Sequence, residues 1–172
     1  MQLRRILPIL AFIAAPAFAE PVGTVSNDGE IAKVLTTIND GEIDAAKLEL
    51  KHGKNADARQ FAKTMESQHK SNLKETKDLA KTNSLNLKDS DLSKSLKTDA
   101  KSNNEDLKNA DKKAFDAAYV KEQIAMHEGA LKIIDTQLLP KVENANLKTH
   151  IEKTREAVAQ HLEHAKSLQT KL

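Results

Sequence analysis

Cysteine is absent from the 172 residues. That excludes a disulfide framework, a thiolate metal site, a thiol nucleophile and attachment of lipid through sulfur. Tryptophan is absent too, and there are only one tyrosine and four phenylalanines. Bases therefore find almost no aromatic platform to stack on. Only five glycines and four prolines interrupt the chain, so long unbroken helices are allowed and a turn-rich β architecture is disfavoured. No glycine-rich phosphate loop and no serine elbow is present, which leaves hydrolase and transferase readings without residue support.

The first nineteen residues are unlike the rest. Arg4 and Arg5 precede an apolar run from Ile6 to Ala15, and Ala17-Phe18-Ala19 supplies small residues at a cleavage site. This pattern is that of a secretory signal, too short for a lasting membrane anchor. An uncleaved signal anchor is the alternative. Removal of residues 1–19 takes two of the 27 basic residues and leaves 25 Lys and Arg against 25 Asp and Glu. A near-neutral mature chain lacks the basic surplus that nucleic acid requires. No later segment has the length and apolarity of a spanning helix, or the alternation of barrel strands. A periplasmic location with at most peripheral attachment to the envelope is expected.

What remains reads as an all-α single domain over residues 20–172. Asn27-Asp28 opens a helix that ends near His52, with Gly53 as its stop and Gly41 as a potential kink. Asn55 caps a second helix over about 56–82. Residues 83–110 form a polar crossover containing a short, partly exposed helix from Asp91 to Ala110. Asp111 opens a third long helix to Leu139, ended by Pro140, and a fourth runs over about 145–171. Two antiparallel hairpins joined by one long connection match a ferritin-like four-helix bundle. A three- or five-helix arrangement is the alternative.

The apolar stripe of each long helix contains an ionisable residue: Glu42, His69, His127 and His161. At about 1.5 Å per residue, His69, His127 and His161 lie roughly 21–24 Å along their helices and share one level, with Glu42 about one turn away. Neutral imidazole suits divalent Zn, Fe, Cu and Ni, and a bare buried imidazole or carboxylate is costly. A metal or small ligand in the core is therefore one reading. The competing one makes the histidines structural, bonded to Glu42, Asn72, Thr76 or Tyr119 to fix helix register. Glu66 enters through Glu66-Ser-Gln-His69, the Glu-x-x-His motif of di-iron bundles. Ile124 and Val158 occupy the positions where a second motif would need glutamate, which speaks against a di-iron oxidase. His161 and His164 form an i, i+3 pair on what reads as a solvated face; His52 suits a helix C-terminus, and His150 reads as exposed.

"GEIDAAKLELKHGKNADARQFAKTMESQHKSN", "FDAAYVKEQIAMHEGAL" and "VAQHLEHAKSL" together resemble the domain-of-unknown-function family 4142. These are exported bacterial proteins often labelled predicted outer membrane proteins. The resemblance implies a ferritin-like fold and export in a Gram-negative bacterium, and it implies no activity. Gln68 stands where the family commonly has Asp before the histidine. The leading expectation is a non-enzymatic core-binding bundle, with stress adaptation entering by analogy only. A metal-dependent redox enzyme and a non-catalytic adaptor in the cell envelope are the rivals.

Overall fold

The computed structural model describes residues 23–172; the signal-peptide reading of residues 1–19 lies outside them. The described residues form five α-helices: α1 Asp28–His52, α2 Ala56–Thr82, α3 Asp91–Asn109, α4 Phe115–Ile133 and α5 Ala145–Gln169. Side-chain caps set most of the starts. Asn27 accepts from the Glu30 amide, Asn55 from the Asp57 and Ala58 amides, and Asn144 from the Leu147 amide. Ser90 and Ser93 form a reciprocal capping box at α3. Each satisfies amide donors that a helix start leaves open.

The fourth helix begins later than its sequence pattern indicates. The Asp111 side chain accepts from the Lys113 amide at 2.7 Å and closes a turn, so α4 starts at Phe115 without a side-chain cap. Its far end widens into a π-helical turn over Ile134–Leu138, where the Leu139 amide reaches back to the Ile134 carbonyl. Pro140 lies just beyond and cannot continue the regular ladder.

Helices α1 and α2 pack on one another, as do α4 and α5; α1 also touches α4, and α2 touches α5. Helix α3 lies against α1 and α4. Only Leu92, Ser93 and Leu107 of α3 are buried, which accounts for its thin apolar stripe. Gly41 is the reason α3 can lie so close. A β-carbon there would stand 3.0 Å from the Ala100 β-carbon, and α1 continues through this glycine. Gly53 ends α1 for want of space, since its φ is −66° and a β-carbon would strike the Glu49 carboxyl.

Two apolar clusters fill the interior. One gathers Ile31, Leu35, Leu92, Ile134, Leu138, Leu147 and Ile151; the other gathers Phe61, Met65, Leu107, Phe115, Tyr119, Val120 and Leu168. Between the two lie the buried polar side chains Asn39 and Glu42 of α1, His69 of α2, Gln123 and His127 of α4, and Thr154 and His161 of α5. Burying the apolar side chains provides the main drive to fold.

Two aspartates fix the helices along their axes. Asp116, at the start of α4, accepts from the Lys54 and Asn55 amides, both at 2.8 Å. Asp28, at the start of α1, accepts from the Glu143 and Asn144 amides at 3.0 and 2.9 Å. Each carboxylate thus holds the N-terminus of a helix from the other hairpin, where amide donors and the helix dipole favour negative charge. Burial opposes ionisation of Asp116, but the Asn55 and Lys54 amides and the neighbouring Glu49 outweigh it and keep its pKa below the usual range. Replacing Asp116 by alanine removes both charge-assisted bonds. We expect a loss of about 2–3 kcal/mol in urea unfolding, against under about 1 kcal/mol for the exposed Asp78→Ala.

Candidate metal centre

Between the two apolar clusters, three rings meet. His69 of α2, His127 of α4 and His161 of α5 have ring centroids 5.8, 5.3 and 5.4 Å apart, pair by pair. One ring nitrogen from each lies within 4.8 Å of the others. All three side chains are buried; His127 is 1% exposed. The shared level expected from residue spacing corresponds to this meeting of rings.

Each ring is held by one nitrogen only. His69 Nδ1 lies 2.9 Å from Asn39 Oδ1. The Asn39 amide is itself oriented, because its Nδ2 donates to the Leu35 carbonyl and to Asn72 Oδ1. That leaves its oxygen to face the histidine, so Nδ1 of His69 carries the proton. His127 Nδ1 lies 2.8 Å from the Gln123 carbonyl, an acceptor without ambiguity. His161 Nε2 donates to Gln68 Oε1. The remaining nitrogens, His69 Nε2, His127 Nε2 and His161 Nδ1, are buried without a hydrogen-bond partner among the described residues. They are the lone-pair nitrogens of three neutral imidazoles.

Electrostatics agree with this proton assignment. Burial, then the repulsion that protonated rings would suffer beside His127 and His161, hold His69 well below its ordinary pKa. Burial lowers His127 to about 4. Burial, His127 and His164 lower His161 to about 4. Neutral imidazole is the metal-binding form, and a fixed N–H on the far side is what orients a ligating histidine.

Glu42 stands behind His127, outside the group of three. Its Oε1 is 3.4 Å from His127 Nδ1, and its Oε2 accepts from Gln123 Nε2 at 2.9 Å. Burial raises its pKa to about 8, against a small lowering from Gln123. The pair is therefore neutral, a carboxylic acid beside an imidazole. Glu66 is separated from the centre. Three residues before His69 it falls on the flank of α2, half-buried, and bonds Lys70 Nζ at 2.6 Å.

The remaining histidines divide. His150, read as exposed, is buried, and its Nε2 lies 2.8 Å from Thr76 Oγ1. The pairing of two polar groups makes burial tolerable there. His164 points outward from the centre, with its ring edge-on to Phe61 at 5.0 Å. His52 is exposed at the end of α1, beside Phe115. The partners Asn39 and Gln123 did not emerge from the sequence pattern. Asn39 lies four residues after Leu35 and three before Glu42, and Gln123 four before His127, so both share the histidine-facing stripes. An amide at such a position is the available signal.

Beside the rings, a cavity of about 260 Å³ opens between α2 and α5. His69, His161, Gln68, Asn39, Asn72 and Thr154 are among the residues that line it. No helix among the described residues is long and apolar enough to cross a membrane.

The fold and centre define an all-helical protein with three convergent, neutral, buried imidazoles. A family model described as a domain of unknown function (DUF4142) matches residues 14–168, and the chain belongs to that family. No curated protein and no solved structure gives a significant match.

The proton on Glu42 has a measurable consequence. The unfolded carboxyl releases it near 4.5, whereas the folded one holds it to about 8. Its stabilising contribution is complete at low pH and lost as pH rises through about 8. The histidines, lowered to about 4 when folded, act oppositely but only below about 6.5. From pH 6.5 to 8 the metal-free protein should therefore lose stability. At about 1.4 kcal/mol per proton per pH unit, Glu42 accounts for up to about 2 kcal/mol of that loss. Urea unfolding of the Glu42→Gln protein should show a flatter pH profile by that amount.

Proposed function

We propose that this protein binds one divalent first-row transition-metal ion per chain through His69 Nε2, His127 Nε2 and His161 Nδ1. The observation that carries this reading is the set of three unpartnered, buried nitrogens at one level of the bundle. Histidines that fix helix register gain most by bonding through both nitrogens or to one another. These rings instead turn their lone pairs toward a common region, an arrangement that is costly unless a cation occupies it. A zinc ion about 2.0 Å from each nitrogen needs them about 3.3 Å apart, so separations of up to 4.8 Å would close by up to about 1.5 Å.

The host is a ferritin-like four-helix bundle, with α1/α2 and α4/α5 as its hairpins and α3 as its crossover. The packing of α1 on α4 and of α2 on α5 supports that reading. The charged and apolar pattern of residues 1–19 supports export to the periplasm, where a small divalent ion is accessible. The donor set favours a mononuclear centre over a di-iron oxidase: it contains no bridging carboxylate, since Glu42 faces the far side of His127 and Glu66 pairs with Lys70.

Titration with Zn²⁺ or Co²⁺ tests this. One ion per chain is expected, with the unfolding free energy raised by about 2.7 kcal/mol at a hundredfold excess over Kd. His69→Ala and His127→Ala should each weaken binding at least tenfold. Wild-type protein without stoichiometric metal, and variants that are merely less stable, would leave the histidines a structural role.

A further inference from the structure

Three ligands do not complete a zinc- or cobalt-type centre; a fourth position remains to be filled. Among the described residues the cluster contains only the three histidines. Glu42, the nearest buried carboxyl, is turned to the other edge of His127 and occupied by Gln123. The missing ligand therefore comes from solvent or from solution.

A route for it exists on one side. His127 is almost fully enclosed at the back, whereas His69 and His161 both form part of the wall of the α2–α5 cavity. At about 260 Å³, that cavity holds several waters at about 30 Å³ each, or an ion of a few atoms. Its lining is largely apolar, and two of its polar side chains are already engaged: Asn72 Nδ2 donates to Thr154 Oγ1, and the Thr154 hydroxyl donates to the His150 carbonyl. Those groups tolerate a hydrated path without competing strongly for the ligand.

Charge selects what binds. Three neutral imidazoles leave the ion its full double positive charge in a largely buried site, where a counter-charge at contact distance is favoured. Lys153 at the rim adds positive potential and Glu75 offsets it, so the ion itself is the dominant attraction. We infer, resting on the metal reading above, that the bound metal keeps one coordination position facing the α2–α5 cavity and takes a small inorganic anion there. Hydroxide fills the same position when no other anion is supplied.

Cobalt-loaded protein titrated with azide provides the test, because the visible spectrum of Co²⁺ reports its coordination. A saturable spectral change with one azide per cobalt is expected. Ala157→Phe and Ser71→Trp each place a ring in the cavity from opposite helices, away from the ligands. Either should retain one cobalt per chain and weaken azide binding at least tenfold. A cobalt spectrum indifferent to azide in wild-type protein would overturn the open position while leaving the metal reading intact. Azide affinity unchanged in both cobalt-loaded variants would overturn the route. Failure of wild-type protein to bind cobalt would remove the metal reading and this inference together.

Discussion

Three buried imidazole nitrogens without a hydrogen-bond partner, converging at one level of the bundle, are the constraint to which the middle of this protein is built. Neutral rings so placed gain nothing from each other. Each is held instead from behind, by Asn39, by the Gln123 carbonyl and by Gln68. Those three bonds fix the tautomers, and the tautomers make the inner face a set of acceptors. The chemistry of the layer follows from what stands outside it.

The helices supply the necessary precision. Rings on α2, α4 and α5 meet only if those helices keep a common register, and packing of aliphatic side chains alone permits sliding. Asp116 and Asp28 remove that freedom by gripping helix N-termini across the two hairpins. The apolar clusters above and below then seal the layer. Sealing is also what keeps Glu42 protonated and the histidines neutral, so packing and proton balance are one effect seen twice.

Much of the fold was legible because its signals are local. Asn27 and Asn55 mark helix starts by the bonds their side chains make, and the spacing of His69, His127 and His161 foretold a common level. What sequence could not give was direction around the helix axis. Glu42 and Glu66 both lie near the histidines in projection, yet one faces the wrong edge of His127 and the other faces Lys70. His150 was misjudged for the same reason, since its burial depends on Thr76, 74 positions away in the chain. The late start of α4 arose because Asp111 can close a turn as readily as cap a helix.

Nitrogen-15 spectroscopy of the histidine rings tests the central claim most directly. In metal-free protein near pH 7, His69 and His127 should carry their protons on Nδ1 and His161 on Nε2, with no ring cationic. Addition of one equivalent of Zn²⁺ should shift the three unprotonated nitrogens and leave the protonated ones in place. A cationic ring at neutral pH, or zinc shifts on the hydrogen-bonded nitrogens, would contradict the account.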